Sequence, residues 1–219
     1  VNKVRQDIVD RNGVLLARSL KMTSLYADPV LVENVEHTAK KLSEIFPETV
    51  NERAVKERLS QAKRFVWIKR HLSPEEISAV LKMGEPGIGF KSEYRRVYPQ
   101  GNLASHLVGY TDIDGGGLSG IEKGLDENLT VSDKAIAITL DIRVQHLLRH
   151  EIKRAVAKHS ATAGAGIVMD MKTGEVLAAV SYPDFDPHRV RDAVPDPARA
   201  RGAILETRLA QGDIPIVPA

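Results

Sequence analysis

The chain contains no cysteine. Disulfides, thiolate nucleophiles and cysteine-bound zinc or iron–sulfur centres are thereby excluded, and the redox character of the compartment stays open. No apolar run reaches the length of a membrane span, and Val1 is not an initiator methionine, so the chain reads as a water-soluble piece of something longer. A strong charge of either sign is also missing: 31 Lys and Arg against 29 Asp and Glu leave +2. The densest basic cluster, Lys63-Arg64 with Lys69-Arg70-His71, is small and reads as a solvated helix end, so no nucleic-acid partner is expected. What is present is the composition of a folded protein, 42% hydrophobic and 27% charged, over 219 residues. That length suits one large domain or two small ones.

Three parts follow one another. In the first, Arg5 to about Gly109, Ile8–Leu16 reads as strand, turn and strand around Asn12-Gly13, a strong hairpin signal. A helix is expected at about Val35–Phe46 with Val35, Ala39, Leu42 and Ile45 on one face. Another should run from the N-cap Asn51 to about Lys63, burying Val55 and Leu59. After an apolar strand at Phe65–Ile68, Ser73-Pro74-Glu75-Glu76 supplies a capping box for a third helix that stops at Gly84. The second part, Tyr110–Thr130, is glycine-rich and reads as irregular. The third opens with a strand at Ala135–Leu140 and an amphipathic helix at about Ile142–His159, burying Val144, Leu147, Leu148, Ile152, Ala155 and Val156. A hairpin closes it: strands Ile167–Met169 and Val176–Val180 flank Lys172-Thr173-Gly174, with Gly174 free to take a positive φ.

Five motifs, in one order over Arg5–Pro187, carry a resemblance. They are Arg5-Gln6-Asp7-Ile8-Val9-Asp10-Arg11-Asn12-Gly13; Arg96-Val97-Tyr98-Pro99-Gln100-Gly101 with His106 and Gly109-Tyr110; Gly117–Glu122, including Gly120, with Asp126 and Leu129; Thr139-Leu140-Asp141 with Gln145; and Gly164–Pro187, which includes Asp170, Gly174 and Asp186. This series resembles the class B penicillin-binding proteins, with Gln6 standing where their opening has glycine. Phe65–Arg70 and Asp184-Phe185-Asp186-Pro187 are more similar to the septal, cell-division branch than to the elongation branch.

The resemblance implies an α+β fold: an elongated, non-catalytic pedestal (dimerisation) domain over residues 1–130, then the incomplete N-terminal part of a transpeptidase domain over residues 131–219. It implies a parent that crosslinks peptidoglycan as a serine D,D-transpeptidase, acting on stem peptides and acylated by β-lactams. The parent would sit on the periplasmic face of the inner membrane, held by an N-terminal helix not in this chain, with division-site membrane proteins as partners and no cofactor. Leu125–Val131 runs into Ala135–Leu140 more directly than in the family, and Arg189–Ala219 does not lead to S-x-x-K. Residues absent from this sequence are expected at one or both places.

The chemistry of that family needs a serine and a lysine one helical turn apart, then S-x-N and K-[ST]-G. Three look-alikes occur in the family's order. Ser60 with Lys63 fits S-x-x-K, and a small serine β-lactamase-like hydrolase using that pair is the alternative function. Ser132-Asp133-Lys134 lacks the amide of S-x-N and reads as a surface turn, and Lys172-Thr173-Gly174 falls at a hairpin tip. No catalytic residue is therefore assigned. His106 reads as a core histidine bonded to backbone, His146 and His150 as a solvated helix face, and Arg96 with Glu122 as a buried ion pair.

Overall fold

In the computed structural model, which describes residues 4–189, the elements run β1 (Ile8–Val9), β2 (Leu15–Ala27), α1 (Val35–Ile45), α2 (Glu52–Leu59), β3 (Val66–Leu72), α3 (Pro74–Leu81), β4 (Ile88–Val97), α4 (Ser105–Val108), α5 (Gly120–Gly124), α6 (Asp126–Val131), β5 (Ile136–Ala137), α7 (Ile142–Lys158), β6 (Gly164–Met169) and β7 (Val176–Tyr182). A 3₁₀ turn at Gly101–Ala104 leads into α4. The described residues divide into two compact units, one of residues 4–20 with 96–189, the other of residues 21–95. The domain boundary expected near residue 130 lies inside the first. Segment 190–219 is outside the described residues.

In the first unit β1 pairs antiparallel with the start of β2 and parallel with β5. Asp10 closes the expected turn: its Oδ1 accepts from the Asn12 and Val14 N–H groups, each at 2.8 Å, and Gly13 has φ +81°. The strand expected at Ala135–Leu140 shortens to two residues, although Ile138 and Leu140 are fully buried. Residues 120–131, expected to be irregular, form α5 and α6, and their Ile121 and Leu129 join Ile8, Leu16, Leu107 and Leu140 in one core.

The α7–β6–β7 layer corrects the expected helix face. Leu148, Ile152 and Val156 half-bury against β6, where Gly166 leaves room for Ile152 and Leu148. Leu147 lies off that stripe and is 64% exposed, and Ala155 is also exposed. The buried helix residue is Gln145. Its amide donates to Ala179 O at 2.8 Å and accepts from Ala179 N–H at 2.9 Å, replacing a neighbouring strand for β7. The β6–β7 hairpin forms as expected, with Gly174 at φ +74°.

In the second unit β2 pairs with β3, placing Tyr26 opposite Trp67, and also with β4. Helices α1 to α3 cover one face, their Leu42, Val55, Leu59 and Val80 meeting Leu25, Ala27, Val66 and Ile68. The Asn51 cap and the Ser73–Glu76 capping box form as read. Helix α2 stops at Leu59 rather than near Lys63, because nothing in Ser60–Arg64 offers another apolar turn to bury. Helix α3 ends at Leu81, and Gly84 follows at φ +64°.

Candidate functional site

The first unit gathers charges that are far apart in sequence. Arg5 precedes β1, Arg96 lies near the end of β4, Glu122 sits in α5 and Asp126 opens α6. Glu122 is fully buried, and both of its oxygens are occupied: Arg96 Nε donates to Oε1 at 2.7 Å and Arg5 Nε to Oε2 at 2.9 Å. Arg5 also donates to Glu122 O at 2.7 Å, Asp126 Oδ1 at 2.6 Å and Gly115 O at 3.0 Å. Arg96 reaches Ser19 Oγ at 3.1 Å. Two cations against two carboxylates leave the cluster neutral, the condition under which buried charge is tolerable. Burial opposes ionisation of Asp126, but the Gly117 N–H and Arg5 outweigh it and hold its pKa below the usual range. Burial, with the nearby Glu122 charge, pushes the Tyr98 phenol above its ordinary range. Both carboxylate oxygens of Glu122 are held by guanidiniums from other elements, so the cluster fixes the shape of the unit.

Glycines let two backbones cross beside it. A Cβ on Gly109 would stand 1.9 Å from Ser119 O, and one on Gly120 would stand 2.5 Å from Leu107 O; both residues have positive φ. No other residue type fits either position without moving backbone.

The segment after β7 docks onto the Arg96–Tyr110 motif. Pro183 O lies 3.2 Å from His106 Nε2, and Phe185 meets the His106 and Tyr110 rings edge-on. Asp184 accepts from Asn102 at 2.8 Å and from Arg149 of α7. His188 Nε2 accepts from the Tyr98 N–H at 3.1 Å, which leaves its proton on Nδ1, facing Asp186. The Asp186 pKa is lowered, chiefly by the His188 backbone N–H.

Residues 2–167 match the penicillin-binding protein dimerisation domain. The chain belongs to that family. It is 34% identical, over 93% of its length, to the probable peptidoglycan D,D-transpeptidase FtsI of Caulobacter vibrioides, covering 35% of that protein. It is 35% identical, over 84% of its length, to the probable peptidoglycan D,D-transpeptidase PenA of Neisseria gonorrhoeae, covering 37% of it. The chain thus spans little more than a third of these relatives. A solved complex between the penicillin-binding protein PBP2 and MreC from Helicobacter pylori matches with a TM-score of 0.65 and 19% identity, over 84% of this chain and 42% of that one. At that identity the likeness establishes the fold.

Within this dimerisation-domain fold the remaining motif residues hold turns and element ends. Asp10 Oδ2 accepts from the Ile142 N–H at 3.1 Å, and Asp141 caps α7 by accepting from the Arg143 N–H at 3.0 Å. The Arg143 side chain holds the Asp141 carboxyl well below the usual range. Arg11 reaches Glu175 at 3.2 Å, and Gly101 opens the 3₁₀ turn after the exposed Pro99. Asp170 Oδ1 accepts from the Lys172 N–H at 2.7 Å and sits with Gly174 at the hairpin tip, apart from the charge cluster.

The look-alike motifs take ordinary places. Ser60 is the C-cap of α2, its hydroxyl donating to Lys56 O at 2.8 Å, while Lys63 lies beyond the helix end and both are exposed. The i, i+3 geometry that the hydrolase alternative requires is absent from this pair. Ser132 Oγ closes a surface turn with Lys134, and Lys172 is exposed. His146 and His150 are exposed. Among the described residues no cluster of three or more His, Cys, Asp or Glu could hold a metal, and no helix is long and apolar enough to cross a membrane.

Sequence reasoning paired Arg96 with Glu122 but gave Arg5 no partner. It also missed Ser19, Arg149 and the part-buried pair Arg70–Glu93 at 2.7 Å in the second unit. No spacing rule links residues so far apart.

Proposed function

We propose that this chain is the non-catalytic pedestal, residues 1–130, joined to the opening of a transpeptidase domain, residues 131–219, of a septal peptidoglycan D,D-transpeptidase. The parent would act through an acyl-serine supplied by sequence beyond the motifs present here, on peptidoglycan stem peptides, and would be acylated by β-lactams. It would be anchored by a single N-terminal helix, face the periplasm, and dock division-site membrane proteins through the pedestal.

One observation carries this reading: the buried Arg5–Glu122–Arg96 cluster and the docked 182–189 segment join four of the five motifs into a scaffold that, among the described residues, holds no serine–lysine pair one helical turn apart. The relatives' names support the activity of the parent, and the PBP2–MreC complex supports docking as a use for this fold. The test is fluorescent-penicillin labelling of the full-length parent, with peptide mapping of the adduct. The expected adduct lies on a serine C-terminal to Pro187. A parent that takes no label, or takes it on Ser60, would overturn the proposal.

A further inference from the structure

The second unit buries one face of its sheet and leaves an aromatic platform on the other. Leu25 and Ala27 of β2, Val66 and Ile68 of β3, and Ile88 and Phe90 of β4 point to the helices. By strand alternation Tyr26, Trp67, Gly89 and Lys91 face away from them. Phe65 stacks on Tyr26 with centroids 4.9 Å apart and meets Trp67 edge-on at 4.9 Å. Gly89 makes this possible, since a Cβ there would stand 2.5 Å from the Tyr26 ring.

Beside the platform opens a cavity of about 480 Å³ lined by Tyr26, Leu31, Phe65, Pro86 and the Gly87–Lys91 segment. Its apolar residues are not covered: Phe65 is 40% exposed, Leu31 51% and the adjoining Val30 62%. Contiguous exposed apolar surface of this kind marks interaction sites.

The rim is basic. Asp28 is neutralised by Arg64 at 2.9 Å, whereas Lys91 sits over the Phe65 and Trp67 rings at 5.2 and 5.7 Å. Among the described residues no carboxylate pairs with Lys91, and Lys63 is exposed next to Arg64. The complement to this surface is apolar and negatively charged. A sugar chain is disfavoured, because Asp28, the carboxylate among the described lining residues, is already occupied by Arg64 and by the Val30 N–H, and exposed aliphatic side chains offer a sugar no hydrogen bonds.

We propose that this cleft docks an acidic, apolar segment of a partner protein, its aromatic or aliphatic side chains entering beside Phe65 and Leu31 and its carboxylates meeting Lys91. The inference specifies the docking role proposed above and stands or falls separately from penicillin labelling of the parent.

Trp67 is the only tryptophan of the chain and lies in the platform, so its emission reports occupancy directly. The 219-residue chain is titrated with three probes: a short fluorescein-labelled peptide of leucine, phenylalanine and glutamate, the same peptide with lysine for glutamate, and a chitin oligosaccharide. Saturable change in Trp67 emission and in peptide anisotropy is expected for the acidic peptide alone. Lys91→Glu should weaken that binding about tenfold, as reversal of a rim charge does. Leu31→Ser, an exposed change that leaves the core intact, should weaken it too. Equal binding of the lysine peptide, saturation by the oligosaccharide, indifference to both substitutions, or no response to the acidic peptide would each overturn the proposal.

Discussion

Arg5 and Glu122 meet across 117 residues of chain, the guanidinium gripping both the carboxylate and the main-chain oxygen of the same glutamate. Arg96 takes the second carboxylate oxygen, so each arginine is compensated only while the other elements stay in place. The pairing ties the entry to β1, the end of β4 and the start of α5 into one joint.

Breaking that joint should be costly. Glu122→Ala leaves two buried guanidiniums facing each other, and loss of one member of a buried pair typically costs about 3–5 kcal/mol. Arg96→Ala should cost a similar amount. Chemical denaturation of the chain measures both. If the parent is the septal transpeptidase proposed above, the same substitutions should impair its crosslinking while penicillin acylation, read by gel fluorescence, is nearly retained. Abolished acylation in a protein that remains folded would place these residues in the chemistry.

Gln145→Leu removes both bonds to Ala179 and leaves its N–H and C=O buried without partners. Each such group costs about 1–3 kcal/mol. Hydrogen exchange should show early opening of β7 in this variant, and unchanged protection there would mean that another group replaces the amide.

Stability of the second unit should fall in mild acid. Burial, then Arg95 and Arg70, lower the pKa of His71 below its usual 6.5, and its buried Nε2 has no hydrogen-bond partner among the described residues. The contribution is complete above that pH. As pH falls below about 6.5 the unfolded chain takes up a proton that the folded one resists, and stability declines. His71 has φ +59°, which asparagine tolerates, so His71→Asn should flatten the pH dependence. Urea titrations at several pH values, followed by Trp67 emission, test this.

The chain by itself should form no acyl-enzyme with β-lactams, since Ser60 caps a helix and Lys63 lies beyond it. Intact-mass spectrometry after penicillin treatment should show no adduct. A stable adduct on Ser60 would restore the hydrolase reading.

The sequence by itself determined what depends on near neighbours. Asn51 and the Ser73–Glu76 box mark helix starts because a capping side chain reaches only a few residues along its own backbone. Asn12-Gly13 and Gly174 mark turns because φ is a local property, and the ordered motifs pointed to the family. What the tertiary structure decided depends on groups far apart in the chain. The end of α2 followed from what could be buried after Leu59. The helical state of residues 120–131 followed from Ile121 and Leu129 finding a core, and the burial of Gln145 over Leu147 followed from β7 needing a polar neighbour. Arg5 finds its partner by the same logic: a buried charge must be compensated, and only the folded chain brings Glu122 within reach.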